Sequence, residues 1–270
     1  MNQTKSSAYS WTPEKLRFYI DSLQFAKPHK KILAVIQDEF ESDWRVADIG
    51  CGPAFIDFDL AEYVTAIDAI DVEPLIIDEL VKEKKMLLEN CIEKQSSPVL
   101  NDERKHELSK QVRDAGKIMP ILKDAKTIVQ GSYDAVIMAF FPISLERLID
   151  FMMIATKKVF FIVHNHDYEI ERNMFRANPN QIKAPELEAF LEPYNFKYKK
   201  HVITTEFGQP FRCMDDVHLF LNIYARGANE PERSKIRQRC EDRIEHTDSI
   251  EFPYFLSRTV SIAVFSVEIG

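Results

Sequence analysis

The sequence predicts an α/β fold, a largely parallel sheet with helices on both faces. Three observations predict it. Helical and strand patterns alternate from about residue 44 to residue 165. Residues 133–140 are continuously apolar after Asp134, as an interior parallel strand should be. The strand at residues 44–49 ends in the glycine turn DIGCGPA. The whole chain of 270 residues holds only 7 glycines, against roughly 19 at an average usage of ~7%.

Each element has its own signal. Thr12 before Pro13 reads as a helix cap with proline in the first turn, and Leu16, Tyr19, Ile20 and Leu23 give that helix an apolar stripe. A second helix buries Ile32, Leu33, Val35, Ile36 and Phe40. After the strand at 44–49 come a short helix at 54–62, a strand at 64–70, and a charged helix from Glu73. Residues 96–115 form another polar helix, entered through Asn101. The third strand falls at 117–123, where Pro120 restricts it to an edge or end position. The strand at 133–140, a helix at 144–156 and a strand at 159–163 repeat the unit. Beyond that the rhythm changes: helices at 168–176, 184–194, 214–225 and 232–246, and long strands at 196–207 and 259–267. The reading is a helical lid over residues 1–43 and one domain over 44–270, with a helical insertion at about 82–116.

Composition narrows the function classes. Apolar residues make up 45% and charged residues 29%, which describes an ordinary globular chain. The net charge of −8 disfavours indiscriminate binding to phosphate backbones. Cys51, Cys91, Cys213 and Cys240 lie far apart with no CxxC, so neither a disulfide framework nor a zinc module is expected. The uncharged stretches at 135–145 and 259–267 are shorter than the roughly 18–20 residues of a membrane span. MNQTKSSAYSW has no apolar signal core, and the expected setting is the cytoplasm.

The chemistry concentrates at Asp48-Ile49-Gly50-Cys51-Gly52-Pro53-Ala54. Glycine is needed where backbone turns sharply and a ligand presses against it. A dinucleotide fingerprint would require a third glycine where Phe55 stands, and that ring would crowd the helix start. The segment instead resembles the nucleoside loop of class I S-adenosylmethionine-dependent methyltransferases, an acid, one residue, then G-x-G-x-G. Asp48, Gly50 and Gly52 match, and Ala54 replaces the third glycine. The resemblance runs over roughly residues 44–165. It implies a Rossmann-like seven-stranded sheet of order 3-2-1-4-5-7-6, with a longer than usual stretch between the last two strands, and S-adenosyl-L-methionine as cofactor. It implies that Asp48 and the turn residues Gly50, Cys51 and Gly52 bind that cofactor. It also implies that an acid ending the next strand takes both ribose hydroxyls. Asp71, followed by Val72 and the helix start Glu73-Pro74, fits best, with Asp68 as fallback and helix capping as a compatible role. Asp124-Ala125 resembles the pair that meets the adenine amino group, Asp134 reads as structural, and Ala139-Phe140-Phe141-Pro142 would border the methyl group, the aromatics serving otherwise simply as core.

For the acceptor, the expected constellation is His164-Asn165-His166-Asp167, at the carboxyl edge of the sheet where open α/β proteins bind ligands. His164 and His166 are the candidate catalytic bases, with solvated loop histidines or a metal pair as alternatives. Tyr9 and Trp11 are candidates to cover the cofactor. No Asn/Asp-Pro-Pro-Tyr/Phe sequence follows residue 140, which removes the usual signature of DNA amine methylation. A small-molecule acceptor is favoured. RNA stays open, because residues 82–126 carry 11 Lys and Arg against 8 Asp and Glu. A non-catalytic cofactor-binding module is the third reading.

Overall fold

A computed structural model of the chain describes residues 11–95, 101–165, 181–225 and 229–269. The Thr12 hydroxyl accepts from the Lys15 N–H at 3.3 Å and caps α1 (Pro13–Ala26). Lys27, in left-handed backbone, turns the chain into α2 (Pro28–Ile36). β1 (Arg45–Ile49), α3 (Phe55–Leu60) and β2 (Ala66–Asp71) follow. Two helices packed on each other, α4 (Pro74–Gln95) and α5 (Asp102–Gly116), make the crossover to β3 (Ile118–Leu122). Asn101 caps α5 by accepting from the Arg104 N–H at 2.9 Å.

β4 (Tyr133–Ala139), α6 (Leu148–Met152) and β5 (Ala155–His164) complete the parallel half. α7 (Ala184–Leu191) leads to β6 (Tyr198–Glu206), and β10 (Thr259–Glu268) closes the sheet. The order is β3-β2-β1-β4-β5-β10-β6, with β10 antiparallel to both neighbours, so the expected 3-2-1-4-5-7-6 arrangement is present. Pro120 sits on the edge strand, where its missing N–H breaks no ladder. One apolar cluster joins the sheet to α6 and α7, and a second joins it to α2, α3 and α4.

Three expectations are corrected. The helix read at 144–156 is a single 3-10 turn plus the five residues of α6, because β5 begins at Ala155 and pairs Ala155 with Tyr133. The helix read at 232–246 is α9 (Glu230–Glu241), and β8 (Ile244–His246) leaves it to form a strand. That strand belongs to a second sheet the sequence did not announce, β7 (Gln209–Phe211), β9 (Tyr254–Leu256) and β8, in the order β7-β9-β8. α8 (Met214–Tyr224) and α9 pack on it. The helix expected at 168–176 lies outside the described residues. No helix among the described residues is long and apolar enough to cross a membrane.

Candidate functional site

The site grows from the turn that ends β1. The N–H groups of Gly50 and Cys51 both donate to the Ile70 carbonyl, at 2.8 and 3.1 Å, which fastens the turn to the end of β2. Gly50, Gly52 and Ala54 all take positive φ, +70°, +54° and +54°. Ala54, where the resembled loop has its third glycine, therefore sits in the backbone conformation glycine favours. Its Cβ costs about 1 kcal/mol there, and the methyl is buried in the core beside α3. Gly50 is required for another reason: a Cβ on it would lie 2.4 Å from the Phe141 ring.

Asp71 ends β2 beside this turn. One carboxylate oxygen accepts from the Gly52 N–H at 3.3 Å and the other from the Glu73 N–H at 3.0 Å. Burial raises its pKa, and the N–H groups of Glu73, Gly52 and Val72 oppose that rise. Each oxygen keeps a second lone pair. Asp68, the fallback, is spent elsewhere. Deep in β2, it accepts from Tyr133 Oη at 2.7 Å and from Arg45 at 2.6 Å. That bond and burial push the Tyr133 phenol up to about 12.

A cavity of about 260 Å³ opens past the carboxyl ends of β1 and β2. Gly50, Asp71, Val72, Asp124 and Ala125 all line it, so the structure brings together five of the residues singled out for the cofactor. Phe141 and Arg147 complete its far wall. Asp124 caps the 3-10 turn Ala125–Thr127, accepting from the Lys126 N–H at 3.0 Å. The volume lies just below the roughly 300–1,000 Å³ of small-molecule sites.

The remaining candidates stand apart from the cavity. Asp48 is beneath the turn, 1% exposed, against the equally buried Asp57 of α3. Burial pushes Asp48 up to about 7 and Asp57 well above the carboxylate range, the charge on Asp48 adding to the latter. Cys51 packs against Leu16 and Ile20 of α1, and burial, with Asp48, Asp57 and Asp71 nearby, pushes its thiol up. Gly52 faces Tyr19 of α1, whose ring edge is 4.0 Å from where a Cβ would stand. Trp11 lies 5.5 Å from the Tyr19 ring, while Tyr9 is outside the described residues.

Ala139 ends β4, and Phe140 follows with φ +51°. That left-handed turn sends Phe140 to the β5 side, where its ring lies 5.0 Å from the His164 ring. Phe141 takes the cavity side instead, packed 5.7 Å from Phe151. His164 ends β5 at the carboxyl edge of the sheet, half-buried. His166 lies outside the described residues. Asp134 binds the Arg45 N–H at 2.9 Å and Lys157, the structural role expected of it. The residues the sequence reading missed are Asp57 and Arg147; Phe141 was among the residues expected to border the methyl group. Which of Phe140 and Phe141 faces the cavity is decided by a backbone dihedral.

No protein-family model matches the sequence, and no curated protein does. Solved structures do match. A candidate methyltransferase of Bacillus halodurans is 11% identical with a TM-score of 0.51, over 90% of this chain and 99% of that one. The YcgJ protein of Bacillus subtilis is 10% identical with a TM-score of 0.52, over 90% of this chain and 100% of that one. Magnesium protoporphyrin IX methyltransferase of Synechocystis, solved with bound S-adenosylhomocysteine, is 12% identical with a TM-score of 0.48, over 96% of this chain and 88% of that one. The sheet order and the glycine turn define a Rossmann-like α/β protein. More narrowly, the antiparallel final strand inserted beside β5 and the likeness to the first of these proteins make this the class I methyltransferase fold.

Proposed function

We propose that the chain is a methyltransferase that draws on S-adenosylmethionine and methylates a small-molecule acceptor. The observation that carries this reading is Asp71, a buried-edge carboxylate with spare lone pairs, in a cavity beside a turn that has no Cβ at Gly50. The residues that line the cavity fit the nucleoside part of the cofactor: Asp71 for a diol and Asp124 for an amine, beside the apolar Val72 and Ala125. When bound, S-adenosylmethionine supplies an electrophilic methyl group on a sulfonium.

The chain's own residues then do four things. Asp71 grips both ribose hydroxyls, and Asp124 accepts from the adenine amino group beside the apolar walls of Val72 and Ala125. Gly50, Cys51 and Gly52 let the backbone approach the amino-acid limb, with Asp48 below. Phe141, the aromatic on the cavity wall, would border the methyl group, where an aromatic ring favours a sulfonium charge. His164, with His166, takes the proton of an acceptor that must lose one, and α1 and α2 cover the turn. Displacement at a sulfonium gains most from holding two partners in line, so positioning carries most of the acceleration.

Calorimetry with S-adenosylhomocysteine tests the reading. Binding is expected, and no heat at high micromolar ligand would end it. Asp71→Ala should weaken that binding by more than about 1.5 kcal/mol, the worth of charge-assisted bonds to two hydroxyls. Lys123, Lys126 and Arg147 around the cavity favour a second reading with an RNA acceptor. It predicts salt-sensitive retention of RNA, which an enzyme for a small acceptor lacks.

A further inference from the structure

Phe140 is held in a backbone conformation that its side chain disfavours. At φ +51° it lies in the left-handed region, where a Cβ crowds the following carbonyl. A strained residue of this kind persists only where its surroundings over-determine it, and such residues gather at functional sites. Two bonds fix this one. The Phe140 N–H donates to the Ile162 carbonyl of β5 at 2.8 Å, and the Phe140 carbonyl accepts from the Gln181 side-chain amide, also at 2.8 Å. The first bond comes from the neighbouring strand. The second comes from a short segment, 181–183, that lies along the carboxyl edge of the sheet and pairs Gln181 with Pro142 and Lys183 with His164. Ile182 between them is buried in the same apolar cluster that Phe141 packs against, so the Gln181 amide reaches the turn from an anchored base.

The consequence of the turn appears at the glycine loop. It directs two adjacent rings to different places: Phe140 to His164, with ring centroids 5.0 Å apart, and Phe141 to Gly50. The Phe141 ring fills the place a Cβ on Gly50 would take, lies 5.7 Å from the Phe151 ring, and walls the cavity that also holds Asp71 and Val72. Were residue 140 to relax to negative φ, the chain direction beyond it would change and the Phe141 ring would leave Gly50. We propose that Gln181 is a positioning residue of this cavity: by bonding the Phe140 carbonyl it holds the left-handed turn, and through that turn it holds Phe141 against Gly50 as a wall for the bound ligand. Gln181 does not itself line the cavity, so its effect on a ligand travels through Phe141. The proposal rests on the cofactor reading above for the identity of that ligand, while the placing of the ring is a property of the free chain.

Two measurements on the intact chain test it. Glycine labelling of the free protein gives a sparse spectrum, since the chain has only 7 glycines, and the ring current of Phe141 should displace the Gly50 Hα resonance. Gln181→Ala should move that resonance toward its position in Phe141→Ala. A Gly50 resonance identical in Gln181→Ala and wild type overturns the proposal, whether or not a ligand binds. The second measurement is calorimetry with S-adenosylhomocysteine. Gln181→Ala should weaken binding about fivefold, the scale of one net hydrogen bond, and the same substitution in a Phe141→Ala background should cost nothing further. An equal loss in both backgrounds, the mark of general destabilisation, overturns the proposal, as does wild-type affinity in Gln181→Ala. Gln181→Glu keeps the length of the side chain but offers no N–H at neutral pH. It should reproduce both alanine results, and wild-type behaviour of this variant also overturns the proposal. Absence of binding in every variant and in wild type, with the Gly50 resonance responding as expected, overturns the cofactor reading and supports the role of Gln181.

Discussion

Two regions of the molecule treat their acids in opposite ways. Between α1 and the small sheet, Asp21 and Asp216 each have an arginine. Arg212 forks onto the buried Asp21, with one bond at 2.8 Å, and Arg17 onto Asp216 at 2.6 and 3.1 Å. The Arg17 guanidinium holds the Asp216 carboxyl below its usual range. Under the glycine turn, Asp48, Asp57 and Asp71 have no cation partner among the described residues, and all three are raised. Asp68 and Asp114, buried elsewhere, follow the first pattern, with Arg45 and Lys117. An acid that serves the fold is neutralised by the protein. Acids left uncompensated beside a cavity point to a cation from outside.

The comparison can be broken, and the largest effect is on the pH dependence of stability. The folded pKa of Asp48, about 7, lies above its unfolded value near 3.8. A raised carboxyl stabilises fully below the unfolded pKa and loses that contribution as pH rises through the folded one, roughly 4 kcal/mol in all. Thermal unfolding should therefore be favoured on going from pH 5 to pH 8, and Asp48→Asn should flatten that dependence. A wild-type curve that rises over this range, identical to that of Asp48→Asn, would erase the contrast. Next in size, Arg212→Leu leaves Asp21 with only the longer contact to Arg17 at 3.9 Å and should cost about 2 kcal/mol in denaturant melts, below a fully buried pair because Arg212 is partly exposed. If Asp21 tolerates the loss, its arginine is ornamental. Gly50→Ala should cost roughly 2 kcal/mol from left-handed strain and collision with Phe141. It should also weaken S-adenosylhomocysteine more than Gly52→Ala, whose Cβ meets ordinary contact. The smallest effect is His164→Ala, which should leave binding of S-adenosylhomocysteine unchanged while lowering turnover.

How much of this was legible beforehand follows from the length scale of each signal. The glycine turn, Asp71, the Asp124-Ala125 pair and the edge strand with Pro120 are local, fixed by dihedral needs within a few residues. The sequence therefore carried them, and the sheet order came with them. The small sheet was not legible, because its strands are three residues each, too short for a period, and pair across long stretches of chain. The choice between Phe140 and Phe141 hung on a single positive φ. The partnership of Asp48 with Asp57 needed the turn to fold back on itself, and an acid in the middle of a short helix reads as solvated until its surroundings are seen.

The arginine pairs between α1 and the small sheet have one more effect. Phe18 of α1 is wedged edge-on between Phe211 and Phe220, at 6.2 and 5.3 Å, so greasy and ionic ties join the same two bodies. Asp21 and Arg212 are 191 positions apart, yet these contacts tie the amino-terminal helix and the three short strands into one unit. A change in the small sheet is therefore felt at α1, which packs on the glycine turn.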